Sequence, residues 1–314
     1  MKTKAIIISI KGPKLSNIEK IILSQENPWG IILFKRNIKS FNQTKSLISE
    51  IKKLTKNNKF PIMIDEEGGA VSRMNALINH NFTANFFGKL YKDDKKLCTK
   101  IYKLYINSLS QVLKSLGINI NTIPVLDVLR TYTNKIIGSR SFSRDKKIVN
   151  QMGKLTLKYL SINKIAGVIK HIPGHGSSLL DSHKKMPIVN LSKKKLNKID
   201  FYPFKFSKAK FAMTAHILFK KIDKNHLATI SPKIIKKIIR EKIGFKGILI
   251  SDDISMKALK FDIVTSAKKS IKAGCNLVLY CAGNTSDNLK LIKSLPYIDN
   301  FTAKKTSEFF KFLG

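Results

Sequence analysis

Three histidines, a lysine and an aspartate are gathered in one short stretch, Lys170-His171-Ile172-Pro173-Gly174-His175-Gly176 followed by Asp181-Ser182-His183. Pro173, Gly174 and Gly176 break any helix, so the stretch is expected to be a loop that presents side chains for chemistry. An imidazole can be oriented through one ring nitrogen while the other moves a proton near neutral pH. Asp181 stands two residues before His183, a spacing that suits such an acid/base dyad. A zinc site is the rival use of these side chains. His-x3-His holds a metal best from one helical face, however, which His171 and His175 cannot share here, and no metal is expected. Other clusters of chemical interest are Asp65-Glu66-Glu67 with Arg73, Gly138-Ser139-Arg140, and Ser251-Asp252-Asp253 with Met256 nearby.

These groups must be carried by something regular. Eight short apolar, β-branched runs recur along the chain: Ala5–Ile10, Gly30–Phe34, Pro61–Asp65, Ile120–Asp127, Ala166–His171, Lys210–His216, Gly247–Asp252 and Asn276–Cys281. Between them lie stretches of helical length, among them Lys39–Leu54, Phe87–Leu116, Lys146–Leu160 and Pro232–Ile243. Nearly continuous apolar strands alternating with helices imply parallel strands buried on both faces. Eight such units close into a TIM-like (β/α)8 barrel, and no Gly-x-Gly-x-x-Gly turn favours an open dinucleotide-binding sheet instead. No linker or repeat divides the chain, so residues 1–314 are expected to form a single domain. A helix after about residue 300 is expected to pack Phe301, Phe309, Phe310 and Phe312 back on the barrel. Barrel enzymes work at the carboxyl ends of their strands. Here those ends carry Arg36, Asp65, Asp127, His171, His216 and Asp252.

The formal net charge of +39, from 59 Lys+Arg against 20 Asp+Glu, taken alone points to nucleic acid or an anionic membrane. Only Arg36, Arg73, Arg130, Arg140, Arg144 and Arg240 are arginine, and the lysines are dispersed, which suggests a drift in amino-acid usage rather than a binding groove. Weak, nonspecific polyanion binding is expected, with no specific nucleic-acid partner and no membrane partner. Cys98, Cys275 and Cys281 have no disulfide-framework spacing, and the apolar run after Met1-Lys2-Thr3-Lys4 is too short for a signal peptide. A reduced, cytoplasmic, monomeric protein is expected.

Taken together, the motifs resemble glycoside hydrolase family 3 of the bacterial β-N-acetylglucosaminidase type. The Lys170–Gly176 loop ending in Asp181-Ser182-His183 is similar to that family's signature. Asp65-Glu66-Glu67-Gly68-Gly69-Ala70-Val71-Ser72-Arg73 resembles its Asp-x-Glu-Gly-Gly-x-Val-x-Arg block, and Gly138–Phe142 its Gly-x-Arg-Ser-Phe block. Phe245-Lys246-Gly247 through Met256 is similar to the nucleophile strand, and Met213–His216 to a further strand end. Ser177-Ser178, Ile172 and Ala70 depart from the usual pattern without removing a catalytic group.

The resemblance implies a retaining exo-β-N-acetylglucosaminidase that releases terminal N-acetylglucosamine from peptidoglycan fragments in cell-wall recycling, without a cofactor. Its implied small-molecule substrate is N-acetylglucosamine-anhydro-N-acetylmuramic acid, with or without peptide. The implied nucleophile is Asp252, with His183 as proton donor and then base, and Asp181 fixing its tautomer. Asp65, Arg73, Arg140, Lys170, His171 and Met256 match positions that line the sugar pocket. Asp253 is expected to be a helix cap if it is not the nucleophile, Glu66 and Glu67 to support the Gly68-Gly69 turn, and the loop from about Ile172 to Pro187 to carry His183 between open and closed positions. Alternatives are a β-glucosidase-like or phosphorolytic relative and, from other classes, an inactive sugar-binding barrel or a basic nucleic-acid binder.

Overall fold

The computed structural model describes residues 2–78, 80–131, 133, 137–178, 186–205 and 207–314. Ten strands occur among them: β1 (Lys4–Ser9), β2 (Pro28–Leu33), β3 (Ile62–Ile64), β4 (Ile120–Asn121), β5 (Ala166–Ile172), β6 (Ile188–Val189), β7 (Phe211–Thr214), β8 (Leu218–Phe219), β9 (Ile248–Asp253) and β10 (Leu277–Tyr280). Eight of them close into a barrel in the order β1-β10-β9-β7-β5-β4-β3-β2. All neighbours pair in parallel, as Ile31 with Ile62 and Met213 with Ile250 show. The TIM-like barrel expected from the strand and helix alternation is therefore present. β6 and β8 form a separate two-stranded pair.

Period-two alternation decides what faces the barrel axis. Ala5 and Ile7 of β1, Val168 of β5, Phe211 and Met213 of β7, Ile248 and Ile250 of β9, and Leu277 and Leu279 of β10 pack in an inner cluster. Their neighbours Ile6, Ile8, Ile169, Ala212, Leu249 and Val278 join an outer cluster beneath the helices. Those helices are amphipathic at local spacing. Phe41–Leu54 buries Thr44, Leu47, Ile48 and Ile51 and is capped by Ser40, whose hydroxyl accepts from the Gln43 N–H.

Three expectations change in detail. The run Ile120–Asp127 pairs as a strand only at Ile120–Asn121, because Pro124 has no N–H to give a ladder. The chain resumes contact with β5 through Leu126 N–H to Lys170 O, which carries Asp127 to the same barrel mouth. The stretch Phe87–Leu116 is two helices, Ala84–Asp93 and Lys95–Leu116, divided at Asp94, whose carboxylate caps the second. In the terminal helix Asn300–Leu313, Phe309 is fully buried and Phe310 and Phe312 pack against the inner cluster, but Phe301 is exposed beneath the Arg240 guanidinium.

Phe309 closes the mouth where the strands begin. Its ring lies 5.2 Å from that of Phe211 and 6.3 Å from that of Trp29, and the Trp29 indole donates to Thr306 Oγ1 on the same helix at 2.8 Å. Phe309→Ala should destabilise the protein by about 3–5 kcal/mol through the cavity it leaves. Turnover by the folded fraction should be unchanged, because the cleft is at the opposite mouth; urea unfolding with activity assays would show this, and intact stability would contradict the plug.

Candidate active site

The inward rows of the barrel run directly into the polar mouth. Two residues beyond inward Ile250 is Asp252; two beyond Met63 is Asp65; two beyond Val168 is Lys170; two beyond Ile32 is Phe34. Parity aims Asp65, Lys170 and Phe34 over the barrel axis, and Asp252 lines the same cleft although the β9–β10 register shifts between Ile250 and Asp253. His171 has the opposite parity. The β5–β7 register shifts between Ile169 and Ile172, and this irregularity turns His171 into the cleft as well.

The resulting cleft is lined by Asp65, Arg73, Arg140, Lys170, His171, Asp252 and Met256. Those are all of the sequence-assigned residues except Asp181 and His183, which lie outside the described residues, as does the whole 179–185 part of the Ile172–Pro187 loop expected to move. Ile32, Met213 and Leu279 of the inner cluster form the apolar floor, and Phe34, Thr122, Ile137, His175, Asp253 and Cys281 complete the wall.

A shared charge network organises one side. The Lys170 ammonium meets Asp65 Oδ1 and Glu67 Oε1, each at 2.5 Å, and Thr122 Oγ1 at 2.9 Å. The Arg73 guanidinium donates to Asp65 Oδ2 at 2.8 Å. Arg140 grips Glu67 with both prongs, Nε and Nη2 each at 2.7 Å. Burial would push the Asp65 carboxyl up, but Lys170, Arg73 and Arg140 outweigh it and hold the group far below the usual carboxylate range. Glu67 is therefore a site residue. It was assigned to the turn because the spacing Glu66-Glu67-Gly68-Gly69 gives no sign of which carboxylate faces inward; Glu66 is the one that serves the turn, accepting the Arg73 and Met74 N–H groups.

Asp127 supports the histidine side. It accepts from His171 Nδ1 at 2.7 Å and from the His175 N–H at 2.6 Å, which fixes the His171 ring and the start of the glycine loop. Gly176 belongs there because a Cβ would meet the Val128 carbonyl oxygen at 1.9 Å.

Asp252 and Asp253 both line the cleft but differ in their partners. Asp252 Oδ1 accepts from the Asp253 N–H at 2.8 Å, while the Asp252 N–H is bound by Thr214 Oγ1. Burial pushes the Asp252 carboxyl up, but nearby His216 and His171, the Asp253 N–H and Lys170 hold it below the usual range, so it is ionised in the cleft. Asp253 instead accepts from Ser255 N–H and Oγ and from the Cys281 N–H, tying the turn after β9 to the end of β10. His216 has both ring nitrogens engaged, Nδ1 with Thr229 Oγ1 and Nε2 with the Asp253 carbonyl, so it braces the β7 end.

A parallel barrel with an ionised inward carboxylate, flanked by paired cations, at the carboxyl ends of its strands defines an enzyme of the barrel class. A family description, the glycosyl hydrolase family 3 N-terminal domain, matches residues 4–303, and the chain belongs to that family. The β-hexosaminidase of Bordetella pertussis (strain Tohama I) is 30% identical over 295 residues, covering 90% of this chain and 82% of that protein. β-Hexosaminidase A of Pseudoalteromonas piscicida is also 30% identical, over 290 residues and 85% of this chain, which spans only 47% of that longer protein. The crystal structure of NagZ from Neisseria gonorrhoeae in complex with N-trifluoroacetyl-D-glucosamine superposes with a TM-score of 0.87 at 31% identity, covering 98% of this chain and 90% of that one. The family 3 β-N-acetylglucosaminidase of Paenibacillus sp. FPU-7 shares the fold, with a TM-score of 0.86 at 24% identity over 98% of this chain and 60% of that one.

His175 offers a test of the site's electrostatics. It is buried, its Nδ1 has no hydrogen-bond partner among the described residues, and burial outweighs Asp127 to bring the imidazole from 6.5 down to about 4. Between those values the unfolded chain binds a proton that the folded chain refuses. The associated stability is complete above the ordinary histidine value and is lost as pH falls towards 4. At pH 5 the loss is about 2 kcal/mol. Urea unfolding at pH 7 and pH 5 should show the wild type losing about that much more than His175→Gln; equal losses in both would refute this.

Proposed function

We propose that the chain is a β-N-acetylhexosaminidase of family 3, acting as a retaining exo-β-N-acetylglucosaminidase on terminal N-acetylglucosamine of peptidoglycan fragments. The observation that carries the reading is the Asp252 carboxylate, bound by the Asp253 N–H, in a cleft that it shares with the Asp65, Arg73, Arg140 and Lys170 network. The names of the relatives support the sugar class, and the Asp181-Ser182-His183 motif supports the acid/base assignment. We assign the catalytic unit to residues 1–314 as one barrel, working as a cytoplasmic monomer on N-acetylglucosamine-anhydro-N-acetylmuramic acid; no helix among the described residues is long and apolar enough to cross a membrane.

In this mechanism Asp252 attacks the anomeric carbon while His183 protonates the departing glycosidic oxygen, giving a glycosyl ester and the free aglycone. His183, now neutral, takes a proton from water. The water oxygen displaces the ester, releasing the sugar with retained configuration and regenerating the Asp252 carboxylate. Asp181 orients the imidazole. On the opposite wall, charged donors and acceptors held by one another rather than by solvent are suited to the sugar hydroxyls.

The deciding assay is turnover of p-nitrophenyl N-acetyl-β-glucosaminide against the corresponding glucoside, with and without added phosphate. Preference for the glucoside, or dependence on phosphate, would replace the reading by its β-glucosidase-like or phosphorolytic relative. Asp252→Ala should abolish turnover in a folded protein, whereas Asp253→Asn should lose far less; a fluoro-sugar label on Asp253 would reverse the assignment. His183→Ala should slow substrates with poor leaving groups by about 10²-fold or more, and acidic phenol glycosides much less. Asp181→Ala should follow the same pattern more gently, and equal losses on both substrate types would remove His183 from the donor role.

A further inference from the structure

Glu66 stands between two residues of the cleft yet points away from it. Asp65 and Glu67 meet Lys170, while Glu66, fully buried, turns to the other side of the chain. Its backbone is clamped to the end of β4, the N–H donating to Asn121 Oδ1 at 3.1 Å and the carbonyl accepting from Asn121 Nδ2 at 2.9 Å. One carboxylate oxygen, Oε2, accepts the N–H groups of Arg73 at 2.7 Å and Met74 at 2.9 Å. The other, Oε1, is 3.0 Å from His80 Nε2. His80 Nδ1 lies 3.3 Å from the Tyr105 hydroxyl on the Lys95–Leu116 helix, and the two rings meet edge to face at 5.7 Å.

These contacts close the segment from residue 66 to residue 80 upon a single carboxylate. Gly68 and Gly69 make the tight return with φ of +87° and +57°, and Gly68 pairs with Val71. What the closure delivers is Arg73. Its main-chain nitrogen is held by Glu66 while its guanidinium reaches Asp65 and lies 5.3 Å from the centre of the Phe34 ring. A buried carboxylate that lost these partners would leave Arg73 on an untethered loop.

We propose that Glu66 and His80 are positioning residues for substrate binding, a brace that acts through Arg73 and leaves the bond-breaking step alone. The inference rests on the function proposed above. Topology supports its restriction to binding: β3, which carries this segment, stands diametrically across the eight-stranded ring from β9, which carries Asp252. The sugar contacts that Arg73 serves are accordingly remote from the anomeric carbon, and an interaction made equally before and during the reaction appears in KM.

Steady-state kinetics on p-nitrophenyl N-acetyl-β-glucosaminide test this with four proteins. Glu66→Ala should raise KM by about 10- to 100-fold with kcat within about threefold of wild type. Glu66→Gln keeps an oxygen for the Arg73 and Met74 N–H groups and should restore KM to within about threefold. His80→Ala removes one end of the brace and should raise KM by about 3- to 10-fold; it carries the test if Glu66→Ala does not fold. An unchanged KM in either alanine variant that folds, a loss confined to kcat, or a glutamine variant as impaired as alanine would overturn the brace. If the wild type shows no turnover, the proposed function falls separately, and the same comparison is read on the dissociation constant for N-acetylglucosamine by calorimetry, where no binding at all overturns both.

Discussion

An ammonium ion taken out of water at the top of a parallel barrel has to be met by charge and by hydrogen-bond acceptors, and much of the mouth is arranged to meet Lys170. Its side chain is 2% exposed and touches two carboxylates and a hydroxyl. Desolvation of a single cation in such a place is costly by several kcal/mol, and an adjacent pair of carboxylates without it would be worse. The three partners come from different places in the chain: Asp65 and Glu67 follow β3, Thr122 follows β4, and Lys170 lies within β5. The ladder of β4 is only two residues long, so the charge network ties three consecutive strands at the point where backbone pairing runs out.

That same arrangement prepares the cleft for chemistry. Asp65 and Glu67 are paired with cations within the network itself, so a hydroxyl entering the cleft would meet oriented partners with little reorganisation. Across the ring, Asp252 is treated differently. It has the Asp253 N–H and the electrostatic influence of nearby histidines and Lys170, without the bidentate guanidinium that quiets Glu67. Among the described residues Asp252 has no ion-pair partner, and a carboxylate kept ionised in that way suits the nucleophile of the proposed mechanism. In the proposed mechanism the barrel separates holding from reacting on opposite walls, while the apolar floor and the Phe309 plug below keep the axis closed.

Much of this is legible in the amino-acid sequence. Apolar runs and helical spacers define the barrel because parallel strands buried on both faces have that pattern and few others do. The inward rows follow from parity, and Asp252, Asp65 and Lys170 continue those rows. What was not legible depends on departures from regular pairing. His171 faces the cleft only through a register shift, and the Ile120–Asp127 run is broken as a strand by Pro124, neither of which periodicity reveals. Glu66 and Glu67 are adjacent and chemically alike; only the position of Arg140 and of the Arg73 backbone decides which enters the charge network. Phe301 shows the opposite error, since an aromatic residue on an amphipathic helix reads as core until a neighbouring guanidinium covers it instead.

The cations also show how composition informs about the site. Arginine is scarce among 59 basic residues, and three of the guanidiniums stand where a planar fork is needed: Arg140 bidentate on Glu67, Arg36 across Ser9 and the Ile10 and Cys281 carbonyls, Arg240 on the Phe245 and Gly247 carbonyls and Asn276. At residue 170 the requirement is reversed. Three oxygens converge from separate directions on one point, and a compact ammonium with three donors fits that geometry where a flat guanidinium would not. In a chain that uses lysine almost everywhere, Arg36, Arg140, Arg240 and the buried Lys170 are each explained by the shape of the acceptors around them, and the surplus of surface charge does not enter into it.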